Sequence, residues 1–425
     1  MEHYLILLYL GVALAAGLAM SRFAKLVGLP AVTGYLLAGI LIGPYVLGRL
    51  GVPGLGFPTY EAVKSFDIIS EVALGFIAFT IGNEFRMSDL RKIGKQAVVV
   101  GFFEALCATA VVDIALIGLH FILGEDKFPL SAAITLGAIA AATAPAATLM
   151  VVRQYKAKGP VTQILLPIVA LDDAIALVVF ALSFGIARSL TGEINLLSVL
   201  VEPLLNIVLS LVGGALMGLL FTRCERFFHS RSKRLAVSVT FVFLAIALSM
   251  MEFDIGRVHL SFSNLLVCMM LGTVFCNTCD FSAELMDRVD RWTAPLFVLF
   301  FVLSGAELQL NVFGDLNNLL IGAISILCRS LGKYLGAWSG STLMKCEPQV
   351  RKHLGITLLP QAGVALGMSL SALNAFPEKE GLMIRNIVLF GVLVYELTGP
   401  MLTKRSLLAA GEIEPEKRKS ARGNI

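Results

Sequence analysis

The sequence predicts an all-α, polytopic membrane protein of about thirteen transmembrane helices, organised as inverted repeats. Three observations carry that expectation. The 425 residues are 57% hydrophobic and 15% charged, against about 25% charged in an ordinary soluble domain. The basic residues alternate between connections in step with a thirteen-span count. Two of the spans are interrupted by proline at equivalent positions in the two halves.

The mean hydropathy is +0.83, and stretches of roughly 18–25 apolar residues recur from end to end, each long enough to cross a bilayer as a helix. Transmembrane β-strands would be about ten residues with strict alternation, a pattern absent here. The expected spans are 4–20, 30–48, 66–85, 97–123, 130–152, 162–187, 196–222, 235–252, 259–276, 293–308, 317–344, 353–374 and 383–403. Span 1, YLILLYLGVALAAGLAM, lacks a basic leader and a small-residue cleavage site, so it reads as a retained helix. The connections after the odd-numbered spans 1 to 11, together with the tail, carry 25 Lys/Arg. The other side carries 7: Arg49, Lys64, Lys127, Arg188, Arg257, Lys379 and Arg385. This bias predicts an outside N-terminus and a cytoplasmic C-terminus.

Span 5 reads LGAIAAATAPAATLMVV, with Thr143-Ala144-Pro145 at its middle. Span 12 reads LGITLLPQAGVALGMSL, with Pro360, Gln361 and Gly363 at its middle. Proline removes a backbone donor and clashes with the preceding turn, and glycine adds freedom. The two spans lie seven helices apart, an odd offset, so they run in opposite directions. Spans 1–6 and 8–13 then form inverted repeats joined by span 7. Paired interruptions of this kind are the best sequence pointer to a binding site in a membrane transporter.

A charge at mid-bilayer costs about 2.5–3.5 kcal/mol on insertion scales, so one kept there marks function. The deepest are Glu104, Asp113, Asp172, Asp173, Arg329, Lys333 and Glu396. Glu71, Glu84, Glu202, Glu252 and Glu307 lie nearer span ends, within reach of interfacial water. Asp172 and Asp173 sit together at the centre of span 6, in LPIVALDDAIALVVFAL. Adjacent helical residues point about 100° apart, so one faces a cavity while the other faces a neighbouring helix. Two close carboxylates resist joint ionisation, which suits exchange of a proton for a hard cation. Arg329 and Lys333, four apart on one face of span 11, supply the base. Arginine would stay a fixed counter-charge, whereas a desolvated lysine can lose its proton. The residues alone leave open which of the two meets an aspartate.

Other chemistry is weakly represented. Cys276 and Cys279 have C-x-x-C spacing without a second pair or a histidine cluster to complete a zinc site. No phosphate-binding glycine loop follows a strand, which argues against ATP-driven work. A soluble enzyme is excluded by composition, no cofactor is called for, and no basic patch suggests nucleic acid.

With these residues in view, the chain resembles the cation–proton antiporter superfamily of the Nha, Nap and Kef type. The similarity rests on LVGLPAVTGYLLAGILIGPYVLG, FIAFTIGNEF, TAPAATLMVVRQYKAKGP, ALDDAIALVVF, FFVLSGAELQL, RSLGKYLGAW and LLPQAGVALGMSL, spread over nearly the whole length. The resemblance implies a scaffold that dimerises (1–95 and 235–310) and a mobile core (96–190 and 311–405). A linker helix (191–234) joins them, a short tail (406–425) follows, and the interrupted spans cross within the core. It implies exchange of Na⁺, or of K⁺ or Li⁺, for protons in a cell-membrane homodimer. Asp173 would carry cation or proton, Asp172 would pair with the span 11 base, and Thr143 would help hold the ion. Some relatives carry an aspartate beside the proline of span 5; the Thr-Ala-Pro order here lacks it. Alternatives on the same fold are a K⁺/H⁺ efflux antiporter, a channel-like K⁺ path and a cation-coupled solute symporter.

Overall fold

The computed structural model describes residues 3–83, 86–190, 196–255, 258–308 and 316–413. Glu84 and the last part of the tail, 414–425, lie outside the described residues. In chain order the helices are α1 (His3–Leu26), α2 (Ala31–Ile42), α3 (Tyr60–Lys64), α4 (Asp67–Asn83) and α5 (Met87–Leu123). There follow α6 (Leu130–Ile139), α7 (Pro145–Gln154), α8 (Pro160–Leu190), α9 (Leu196–Glu225) and α10 (Arg231–Ser249). After an antiparallel hairpin, β1 (Glu252–Ile255) with β2 (Val258–Ser261), come α11 (Asn264–Thr278) and α12 (Ser282–Glu307). The chain closes with α13 (Leu316–Leu343), α14 (Pro348–Thr357), α15 (Gly363–Ala375) and α16 (Glu378–Ala409).

Nine helices among the described residues are long and apolar enough to cross a membrane. With α4, α11 and the interrupted pairs α6/α7 and α14/α15, they accommodate the thirteen expected spans. The protein is thus an all-helical multi-pass membrane protein carrying one short hairpin. Helix ends differ from the expectation in a consistent direction. α5 starts at Met87 and α12 at Ser282, each about ten residues before the predicted span. Their first turns are amphipathic and charged, so hydropathy marks only the part that lies in lipid. The hairpin also takes the start of span 9, and α11 begins at Asn264, where the Ser263 hydroxyl caps the Leu266 amide.

Small residues set how closely the helices approach. On α13, Gly332, Gly336 and Gly340 face α5 at every fourth position; a Cβ on Gly336 would stand 2.5 Å from Glu104 Cα, and one on Gly332 2.6 Å from Ala108 Cα. This is the small-xxx-small packing that lets membrane helices touch backbone to backbone. Gly39 of α2 plays the same part against α12, where a Cβ would fall 2.0 Å from the Val302 carbonyl oxygen.

Two large apolar clusters result. One gathers α4, α9, α10, α11 and α12 around Phe79, Phe221 and Phe275. The other gathers α5, α6, α8, α13, α15 and α16 around Leu116, Ile139 and Ile387. Beside the first of these opens a cavity of ≈ 1210 Å³, lined by Met150, Arg153, Thr162 and Leu166 of α7 and α8 and by Tyr35 of α2 and Asp290 of α12.

Candidate ion site

Both interruptions follow from their sequences. α6 ends at Ile139, residues 142–144 are non-helical with Ala144 extended, and α7 restarts with Pro145 at its first position. There the missing N–H is no loss and the fixed φ suits a helix start. α14 ends at Thr357, residues 359–362 are non-helical, and α15 starts at Gly363. The two non-helical stretches meet: the Ala144 amide donates to the Pro360 carbonyl at 2.8 Å. Gln361 Nε2 donates to Ile139 O at 3.0 Å. A half-helix that ends mid-membrane leaves carbonyls without intrahelical partners, and in lipid such groups must be satisfied by protein.

Arg329 does that work. Its Nε donates to Ala140 O (2.9 Å), one terminal nitrogen to Ala142 O (2.6 Å), and the other to Leu359 O (2.8 Å). One guanidinium thus ties the C-terminal ends of α6 and α14 together, where the helix dipoles concentrate negative charge. Its carbon lies 4.5 Å from the centre of the Tyr395 ring. None of its hydrogen bonds goes to a carboxylate.

Lys333 is the base that meets the acids. Nζ donates to Ala141 O (2.5 Å), to Thr143 Oγ1 (2.8 Å) and to Asp172 Oδ2 (3.2 Å), which accounts for its three protons. Glu104 Oε2 stands 2.6 Å away as a fourth neighbour, in ionic contact without hydrogen-bond geometry. Lys333, Glu104 and Asp172 are all fully buried. The ambiguity between the two bases is resolved by axial height. They share a face and both reach carbonyls of the first break, but Arg329, one turn away, also reaches Leu359 O of the second, whereas Lys333 reaches Asp172.

Asp173 is different again. It is 2% exposed, and neither carboxylate oxygen has a hydrogen-bond partner. It follows Leu166, which lines the cavity, by two helical turns on the same face of α8, about 10 Å deeper. Thr143, 2% exposed, accepts from Lys333 and donates weakly to Leu358 O at 3.4 Å. The carbonyl of Ile139 already accepts two hydrogen bonds, from Gln361 and from the Ala142 amide, and those of 140–142 and 358–360 each already accept one. An ion at this crossing would meet their second lone pairs rather than unoccupied oxygens.

The remaining predicted acids lie apart. Asp113 packs against Gly137 of α6, about 14 Å along α5 from Glu104. Glu307 ends α12. Sequence reasoning named Glu104 as an intramembrane acid but did not pair it with Lys333. The legible signal was the Gly332–Gly336–Gly340 stripe, which lays α13 against the part of α5 that carries Glu104. Of the C-x-x-C pair, Cys276 and Cys279 are both buried thiols outside any disulfide, and no group of metal-ligating side chains stands among the described residues.

Interrupted helices that cross at a buried cluster of one lysine and two carboxylates, with a third carboxylate, Asp173, unpartnered next to Asp172, define a secondary membrane transporter. Residues 10–404 match the family described as sodium/hydrogen exchanger, transmembrane, and the chain belongs to that family. It is 24% identical over 359 residues to the Na⁺/H⁺ antiporter NhaS4 of Synechocystis sp., covering 82% of this chain and 84% of that protein. It is 25% identical over 372 residues to the high-affinity Na⁺/H⁺ antiporter NhaS3 of the same organism, covering 80% and 76%. The K⁺/H⁺ antiporter subunit KhtU of Bacillus subtilis is 20% identical over 387 residues, covering 87% and 86%. In fold, the chain superposes on the sodium proton antiporter MjNhaP1 of Methanocaldococcus jannaschii at pH 8 with a TM-score of 0.73 and 19% identity, covering 97% of this chain and 99% of that one.

Proposed function

We propose that the protein exchanges an alkali cation, Na⁺ first, for protons across a cell membrane, with Asp173 as the group that carries either one. The observation that carries this reading is the contrast within the aspartate pair. Asp172 is held by Lys333, whereas both oxygens of Asp173 are buried and unpartnered beside the crossing. A free buried carboxylate is costly unless it holds a proton or a cation, so the two compete for one place.

In the proposed cycle, Asp173 loses its proton to the cavity and takes the ion together with the Thr143 hydroxyl and break carbonyls. Lys333 balances Asp172 and Glu104 throughout. Helices α5–α8 and α13–α16, the core, then move against α1–α4 and α10–α12, the scaffold, and expose Asp173 to the other face. An empty, charged site crosses poorly, which couples the two fluxes. The scaffold is proposed to form a homodimer, with the N-terminus outside and the tail in the cytoplasm. The alternating basic residues support that orientation.

The curated relatives are named for Na⁺/H⁺ and for K⁺/H⁺ exchange, so selectivity is decided by assay. Vesicles holding the protein and a pH gradient are challenged with Na⁺, K⁺ or Li⁺, with and without a membrane potential. The reading expects Na⁺ to collapse the gradient and Asp173→Asn to abolish this. Full cation-driven proton movement in Asp173→Asn would refute the assignment. Ion current without proton movement would favour a channel.

A further inference from the structure

The turn between α1 and α2 takes side-chain caps from distant parts of the chain. α1 ends in a Schellman motif: the Leu29 amide donates to Ala24 O (2.8 Å), the Gly28 amide donates to Lys25 O (3.1 Å), and Gly28 takes the left-handed φ of +77° that the motif favours. The Gly28 carbonyl then accepts from Lys404 Nζ of α16 at 2.9 Å. α2 starts at Ala31, and its preceding residue, Pro30, supplies no side-chain cap. The Ala31 amide instead donates to Oε1 of Gln154, the last residue of α7, at 2.9 Å. An ammonium at the C-terminal end of one helix and a carbonyl oxygen at the N-terminal end of the next complement both end dipoles and fill one orphan amide.

The two caps are joined to each other and to the cavity. Lys404 Nζ also lies 4.4 Å from the centre of the ring of Tyr155, the residue after Gln154. The residue before it, Arg153, pairs with Asp290 of α12. Gln154 and Ala31 both line the cavity. The other end of α7, Pro145 beside Thr143, lies at the crossing, about 14 Å along the helix. α7 is thus a short rod with the ion site at one end and the α1–α2 turn and α12 at the other. α7 and α16 lie in the proposed core, and α1, α2 and α12 in the proposed scaffold. Hydrogen bonds of 2.9 Å do not survive a slide of a few ångströms between the elements that share them. When the core moves, the Ala31 amide and the Gly28 carbonyl lose these partners, so the caps favour the arrangement in which the site faces the cavity.

We propose that Gln154 and Lys404 are positioning residues that cap the α1–α2 turn from the core and so set the balance between the cavity-facing site and the site facing the other side. The pair rests on the exchange reading above, touches neither ion nor proton, and acts through α7.

Vesicles holding the full chain in one orientation test this, because Na⁺ can be offered to either face separately. With a bias of about tenfold from the two caps together, the double variant Gln154→Leu with Lys404→Gln raises the share of the other state from about a tenth to about a half. The half-saturating Na⁺ concentration is then expected to fall about fivefold at the face opposite the cavity and to change by less than about twofold at the cavity face. Gln154→Glu and Lys404→Arg keep an oxygen and a cation at the two helix ends and should stay within about twofold of wild type at both faces. An equal change at both faces would leave the side chains a role in stability alone, and unchanged values would leave them none. A fall confined to the cavity face would mean that the caps favour the other state. Each of these three results overturns the proposal. If the double variant does not fold, Gln154→Leu alone, at an exposed side chain, should lower the opposite-face value about two- to threefold with the same sidedness. Wild-type protein that moves no protons with any cation would instead sink the exchange reading itself.

Discussion

Lys333 Nζ and Glu104 Oε2 stand 2.6 Å apart at the centre of the core, both fully buried, on helices separated by 229 positions in the chain. Together with Asp172 they form a cluster in which one ammonium serves two carboxylates. Removing one member of a buried ion cluster leaves uncompensated charge, at about 3–5 kcal/mol. Lys333→Met is expected to lose that much stability, and Glu104→Gln about 1–3 kcal/mol. Because they share one contact, the double variant should fall short of the summed losses by more than about 1 kcal/mol. Unfolding in detergent measures this cycle; strict additivity would mean the contact carries no energy.

Arg329 is expected to act on the fold more than on the ion. Its three charge-assisted hydrogen bonds hold both interrupted helices, and lysine cannot reproduce the planar fork. Arg329→Lys should cost about 3 kcal/mol, the loss of one to two such bonds. In the folded fraction the half-saturating Na⁺ concentration should stay within about threefold, a figure that one 0.6 kcal/mol perturbation explains. A large affinity loss at unchanged stability would place Arg329 at the ion instead.

The glycine stripe ranks its own substitutions. At Gly336 a Cβ would come within 2.5 Å of Glu104 Cα, and at Gly340 within 3.0 Å of Val100 Cα, both backbone atoms. Overpacking costs about 1–3 kcal/mol, so Gly336→Ala should lower the midpoint of thermal unfolding more than Gly340→Ala. Gly118, with nothing within 4 Å, is the neutral site for comparison. Equal effects at all three would show that α5 and α13 separate freely.

Arg153 of α7 and Asp290 of α12 are paired at 2.8 Å across the cavity, with 23% and 36% of their side chains exposed. A pair this open is worth about 0–1 kcal/mol, so stability should barely change in Arg153→Asp. Since the pair joins α7 to α12, the exchange rate should shift by up to about fivefold, and the reversed pair R153D/D290R should restore it. Initial rates in vesicles decide between this bridging role and none.

Much of the site was legible because expense is visible in a sequence. Asp172 and Asp173 stand out in an apolar run since charge in lipid must be justified. Pro145 and Pro360 stand out since neither can continue a helix. What periodicity could not separate were Arg329 and Lys333, which share a helix face; their roles depend on which of them, one turn apart, lies level with Asp172 and Glu104. Helix starts at Met87 and Ser282 were likewise hidden, because amphipathic first turns leave no apolar signal.

By itself the chain determined its class, the two interruptions and the identity of the buried charges. Those follow from local physics: the length of apolar runs, the missing proline donor, and the cost of charge away from water. Only tertiary structure decided that Lys333 meets Asp172 and Glu104, that Arg329 closes the helix ends, and that Asp173 is left free. Such choices depend on ångström-scale height and on glycine-permitted contact between distant helices, and a linear pattern does not carry either.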